Sequence, residues 1–193
     1  VLVVQTLALT FDDGPDRDGT PAMLDVLARA GAGATFFVIA PRAAALPDLM
    51  ARMIADGHTV GLHCDEHVRH SERDADWCAT DTRHALQRLQ ELGIFPVLWR
   101  TPWGDTAPWT ERIAAEHDLR IVGWTVDTHD WRGDSAEQMY NATRPELCDG
   151  AIVLAHDGLG PGATRRHVAE TVAYVGRVAE HGRRHGLKLA ALA

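Results

Sequence analysis

Residues 7–15, LALTFDDGP, run an apolar stretch straight into two adjacent carboxylates and then turn at Gly14-Pro15. Apolar, β-branched and aromatic residues at this length read as a buried strand, and the Gly-Pro pair as the turn that ends it. Two anions side by side repel each other, so Asp12 and Asp13 imply a neighbour that wants negative charge or a shared proton.

The same design recurs along the chain. Seven short apolar runs read as strands, at 2–10, 35–39, 59–63, 97–100, 120–126, 151–156 and 187–192. Helical signals lie between them. Thr20-Pro21 opens a helix that Gly31 stops, Pro47 and Gly57 bound a second, and a long one runs from near Ser71 to Gly93. Thr106 caps a helix with Pro108 in its first turn, Ser135 opens another, and a last helix spans 164–185. Strand–helix alternation of this kind predicts a parallel sheet covered by helices, closed into a barrel or left open.

A chain of 193 residues reads as one domain, 1–193, long enough to bury a core without staples. The balance of 19 Lys+Arg against 27 Asp+Glu gives a net charge of -8 with no basic stripe, which argues against nucleic acid as a partner. No apolar run reaches transmembrane length and no leader precedes the first strand, although a chain starting at Val1 leaves room for a trimmed one. Cys64, Cys78 and Cys148 are too few and scattered for a disulfide framework or a CxxC zinc site; at most one bridge can form.

The polar residues fall at strand ends. Asp12 and Asp13 follow the first strand, His63 ends the third, Arg100 the fourth, Asp127 the fifth and His156 the sixth. Parallel α/β folds gather their chemistry on that rim. In GLHCDEH, His63 and His67 offer two imidazoles, and Asp12 or Asp13 completes a two-His, one-carboxylate site for a divalent cation, leaving the other aspartate as a base. His70 is a third imidazole, placed by its position in the loop at the surface. In WRTPWGD, Arg100 suits a carboxylate partner, and the turn at Trp103 offers a backbone N–H and an aromatic wall. VDTHDW adds Asp127, Asp130 and Trp131, and IVLAHDG ends in His156. Each segment has an ordinary structural reading: a solvated turn, a salt bridge, a capping loop, a core histidine. Five of them at one rim would be five coincidences.

With these motifs in order, the sequence resembles the polysaccharide deacetylase family, the NodB-homology or carbohydrate esterase family 4 enzymes. TFDDGP, HCDEH, RTPWG, DTHDW and LAH match its five ordered motifs between Thr10 and His156. The resemblance implies a distorted (β/α)7 barrel, in agreement with the seven strands. It implies that Asp12 is the general base, oriented by Arg100, and that His156 is the general acid, its pKa set by Asp127. It implies that Asp13, His63 and His67 bind one divalent metal ion, Zn2+ first and Co2+, Ni2+ or Mn2+ as alternatives. Trp131 and Leu154 would line the acetyl pocket, and the Trp103 backbone N–H would help hold the oxyanion. Two positions depart from the family pattern: Cys64 replaces Ser or Thr, and Trp103 replaces Tyr or Phe.

The expected activity is metal-dependent hydrolysis of the acetamide of N-acetylglucosamine-type sugars, in chitin oligomers or peptidoglycan, to amine plus acetate. The alternatives are O-deacetylation of acetylated xylan, hydrolysis of a small or cyclic amide, and a non-catalytic sugar-binding module; retention of Asp12 and His156 speaks against the last. A carbohydrate is the expected partner, and oligomeric state leaves no trace in the sequence. The resemblance favours secretion or the cell envelope, while the sequence as it stands permits the cytoplasm. The histidines outside the motifs, including His58 and His181, read as surface residues.

Overall fold

A computed structural model describes residues 4–193, so Leu2 and Val3 of the first expected strand lie outside the described residues. Its elements are β1 (Thr6–Asp12), α1 (Gly19–Ala30), β2 (Thr35–Ile39), α2 (Ala40–Ala45), α3 (Pro47–Ala55), β3 (Thr59–Cys64), α4 (Ala75–Glu91) and β4 (Leu98–Trp99). They continue with α5 (Thr110–Glu116), β5 (Arg120–Ile121), β6 (Val126–Asp127), α6 (Ala136–Thr143), β7 (Ile152–His156), α7 (Ala169–His185) and β8 (Lys188–Leu189). All strand pairings among the described residues are parallel, in the order β5-β4-β3-β2-β1-β7-β6, with β8 beside the start of β1.

The stretch expected to be one strand, 120–126, is two. β5 pairs with β4 at one edge of the sheet and β6 with β7 at the other, so residues 122–125 cross from edge to edge. The sheet therefore curls into a distorted barrel with a seam that no strand ladder closes. Arg100 ties the seam from inside: its Nε donates to the carbonyl of Val122 at 3.1 Å and Nη2 to that of Gly123 at 2.7 Å. The guanidinium is fully buried and lies 4.3 Å from the ring centroid of Phe37, with a flat hydrophobic face toward the ring and donors in its plane.

Along β1 the side chains alternate. Leu7, Leu9 and Phe11 join the large cluster built with the helices, including Met23, Leu27 and Tyr174, while Thr10 and Asp12 face Arg100 inside the barrel. The barrel interior has only a small apolar cluster of Phe37, Leu98 and Val122. Gly61 makes room for it, because a Cβ there would come within 2.6 Å of the Phe37 ring. Most apolar burial thus lies between sheet and helices, which leaves the interior rim free for polar groups.

Helix boundaries follow capping chemistry where a side chain reaches. Gly31 closes α1 in the left-handed conformation, and Ser135 with Gln138 forms a reciprocal capping box on α6. The long helix starts at Ala75 instead of Ser71, because the Asp74 carboxylate accepts from the Trp77 N–H at 2.8 Å. The last helix starts at Ala169, and 164–168 are loop. His58 and His181 are buried, not surface: His58 Nδ1 accepts from the Ala34 N–H, and His181 packs between Tyr140 and the Leu147 carbonyl. None of the three cysteines is bridged, and no helix among the described residues is long and apolar enough to cross a membrane.

Candidate active site

The carboxyl ends of β1, β3 and β7 meet in a cleft of about 390 Å³. At its floor, Asp13, His63 and His67 bring one ligand atom each to within 4.8 Å of one another. Asp13 Oδ1 faces His63 Nε2 at 3.4 Å and His67 Nε2 at 3.1 Å. His63 is held from both sides: its Nδ1–H donates to the Arg100 carbonyl at 2.6 Å, and its own carbonyl accepts from Trp99 Nε1 at 3.1 Å. That bond assigns the tautomer and leaves the Nε2 lone pair aimed at the carboxylate. Lone pairs converging on an anion in a buried place require a proton or a cation among them. Burial pushes the Asp13 pKa up, but the hydrogen bonds to His63 and His67 outweigh it and hold it well below the usual range. Burial lowers the His63 pKa, and Asp13 more than restores it, for a net rise. Two neutral imidazoles and one carboxylate are a donor set that fits a divalent metal ion with open positions.

Asp12 and His156 stand side by side as register partners across β1 and β7. Arg100 Nη1 donates to Asp12 Oδ1 at 2.9 Å and to Thr10 Oγ1 at 2.7 Å, so the residue that ties the seam also holds the carboxylate. His156 Nδ1–H donates to Asp130 Oδ1 at 2.7 Å, which leaves Nε2 as the ring nitrogen available to a substrate. Burial opposes the charge on His156, but Asp130 raises its pKa to about 9; at neutral pH the imidazole carries the proton an acid must give.

The partner of His156 was expected to be Asp127, and the structure corrects this to Asp130. Asp127 ends β6 opposite Leu154, two residues before His156, and its carboxylate caps its own turn by accepting the His129 N–H at 2.8 Å. The chain then reverses through His129 at φ 51° and a single 3-10 turn at 130–132, which returns the Asp130 carboxylate to His156. Asp127 still lines the cleft.

Trp103, Trp131 and Leu154 line the cleft walls. Trp103 is 42% exposed, yet Arg69 lies 4.5 Å from its ring centroid and the His67 ring meets it edge-on at 4.2 Å. The wall is therefore part aromatic and part guanidinium. Three of the four non-glycine residues at positive φ among the described residues, Asp13, Trp103 and His129, belong to the site; strain held at such positions costs about 1–3 kcal/mol each and persists only where surroundings enforce it. Gly160 supplies part of that enforcement, since its backbone lies so close that a Cβ would collide with Asp13 Oδ2.

Several contributors escape motif reading. Asp81 on α4 accepts from the N–H groups of Asp65 at 3.1 Å and Glu66 at 2.7 Å, clamping the turn that links His63 to His67. Burial pushes its pKa to about 6. Arg42 on the unexpected helix α2 donates to the Asp13 carbonyl at 2.8 Å. A carboxylate sixteen residues from the loop it clamps leaves no local signal beyond its apolar surroundings. Cys64 is buried outside the ligand group, and burial raises its pKa, keeping it a thiol. His70, expected at the surface, is buried with Nδ1 against Thr110 Oγ1.

Sequence and fold are similar to those of known proteins. A family model described as polysaccharide deacetylase matches residues 3–122. A chitooligosaccharide deacetylase of Bradyrhizobium sp. (strain ANU 289) is 34% identical over 166 residues, covering 83% of this chain and 74% of that protein. Peptidoglycan-N-acetylglucosamine deacetylase PgdA of Listeria monocytogenes is 36% identical over 154 residues, 78% of this chain; the match spans about a third of PgdA, 32% of its length. Among solved structures, a family 4 carbohydrate esterase from Streptomyces lividans in complex with acetate superposes with a TM-score of 0.88 at 27% identity, covering 98% of this chain and 93% of that one.

Proposed function

Because this chain belongs to the polysaccharide deacetylase family, we propose that residues 1–193 act as one catalytic domain that hydrolyses the acetamide of N-acetylglucosamine-type sugars, in chitin oligomers or peptidoglycan, to amine plus acetate. One observation carries the reading: a carboxylate and an imidazole, each with its own buried oppositely charged partner, stand side by side on neighbouring strands beside a two-His, one-carboxylate group.

Asp13, His63 and His67 would hold one divalent cation, zinc first among the candidates for this ligand set. When bound, the cation supplies Lewis-acid polarisation of the acetamide carbonyl. Asp12, held by Arg100, takes the proton from the attacking water. His156 gives its Nε2 proton to the amine nitrogen as the C–N bond breaks, and Asp130 stabilises the imidazolium before that transfer. An amine is a poor leaving group without that proton, so the acid matters far more for an amide than for an ester. Trp131 and Leu154 line the acetyl pocket, and the Trp103 backbone N–H serves the oxyanion.

The test is acetate release by the metal-loaded protein from chitin oligomers, peptidoglycan and acetylated xylan, beside a chelated sample and Asp12→Asn. The N-acetyl substrates should release acetate, with Asp12→Asn slower by about 10²- to 10⁴-fold. Release from xylan alone would replace this reading with O-deacetylation.

A further inference from the structure

The loop 158–168 returns a guanidinium to the His156 pair from the far side. Arg165 is nearly buried, its side chain 6% exposed, and Asp130 fully so. Its Nη1 donates to Asp130 Oδ2 at 2.7 Å and contacts Thr171 Oγ1, and its Nη2 donates to the carbonyls of His156 at 3.1 Å and Gly158 at 3.2 Å. The loop bearing it is pinned to the turn at 130–132, since the N–H groups of Thr164 and Arg165 both donate to the Trp131 carbonyl, at 2.9 and 3.3 Å.

Arg165 therefore grips one histidine at two points. It holds the backbone of His156 directly, and it holds the imidazole through Asp130. Asp130 collects the His156 Nδ1–H on Oδ1, and the His156 N–H, Arg165 and Thr171 on Oδ2. A carboxylate with donors on both oxygens has one orientation, and the ring bonded to it inherits that orientation. Without the Arg165 side chain Asp130 keeps its bonds to His156 and Thr171 but loses its guanidinium partner, and the His156 and Gly158 carbonyls lose the donor that ties them to that carboxylate. A buried arginine is also costly to desolvate, and one that bonds the acid–base pair, its loop and Thr171, itself a donor to Asp130, is poorly explained as packing.

We propose that Arg165 is a positioning residue for proton delivery to the leaving amine, acting through Asp130 and the His156 carbonyl. The inference rests on the deacetylase reading for its kinetic arm only. That arm compares an N-acetyl sugar oligomer, whose amine must be protonated, with an aryl acetate, whose phenolate leaves without an acid. In Arg165→Gln the amide rate should fall about a hundredfold, and by at least about thirtyfold more than the aryl acetate rate. Arg165→Lys, which keeps one charged donor for Asp130 but cannot bridge to both carbonyls, should lie between Gln and wild type.

The second arm needs no substrate and no metal. The Nδ1 proton of His156 should give a slowly exchanging downfield resonance, assigned by its absence in His156→Ala, and Arg165→Gln should abolish it. Equal losses on amide and aryl acetate, a Lys variant no better than Gln, or an unchanged resonance in Arg165→Gln would each overturn the proposal. A wild type silent on N-acetyl substrates that shows the Arg165-dependent resonance would instead refute the deacetylase reading while leaving the positioning geometry standing.

Discussion

Asp157 shows how one residue can work against stability inside a site that needs its neighbours. It follows His156, is fully buried, and takes one hydrogen bond from Thr20 Oγ1 at 2.5 Å while its Oδ1 lacks a partner among the described residues. Burial first, and the nearby Asp13 and Asp12 next, push its pKa up to about 7. A carboxyl whose folded pKa exceeds its unfolded one binds its proton more tightly when folded. Its contribution is whole below the unfolded value and is lost as pH rises through about 7. Wild-type Tm should therefore drop between pH 5 and pH 8. Asp157→Asn, which cannot ionise, should flatten that drop by an amount corresponding to about 2–3 kcal/mol, read by thermal melts at the two pH values. Equal slopes in the two proteins would show that Asp157 is already ionised in the folded state at pH 5, its proton held no more tightly than in the unfolded chain.

Elements carry the site through what they bring close, and that is where reading from sequence reaches its edge. The motif residues at strand ends were legible because a parallel sheet delivers its carboxyl ends to one rim, and Asp12, Asp13, His63, Arg100 and His156 follow that rule, while His67 was legible from its spacing to His63. Loops obey no such period. Asp127 ends a strand and so looked like the partner of His156, but a reversal at His129 gave that place to Asp130. Likewise the helix expected from Thr164 starts only at Ala169, and Thr164 and Arg165 spend their N–H groups on the Trp131 carbonyl instead. Strand 120–126 divided because its two ends pair with opposite edges of the sheet, a long-range fact absent from any window of sequence. The loop at Gly160 offers a test at this scale. A Cβ at this position would collide with Asp13 Oδ2, so Gly160→Ala must push the loop or the carboxylate aside. Metal affinity should fall at least about tenfold by titration calorimetry, the scale of a lost supporting contact around a ligand, while Gly150→Ala, remote from the ligands, should leave affinity unchanged. Wild-type affinity in Gly160→Ala would mean the loop yields freely.

At the scale of the whole molecule, the barrel is held at its seam by a side chain and not by a ladder. Arg100 joins Val122 and Gly123 on one side to Thr10 and Asp12 on the other. Removing one member of a buried, hydrogen-bonded charge pair costs about 3–5 kcal/mol. Arg100→Met, close in length and apolar, should lower stability by that order in denaturant melts; a loss under about 1 kcal/mol would show the seam closing without it. Because the same guanidinium also holds Asp12, the base in the proposed function, robustness and turnover are not independent traits under that reading. Selection for a looser, more permissive mouth cannot begin at the seam, since every step there withdraws support from the proton acceptor. Under the proposed function, variation in substrate preference belongs at the rim, at Arg69 and Trp103, and a library for new substrates should be drawn there, with the seam and the 158–165 loop left untouched as its chassis.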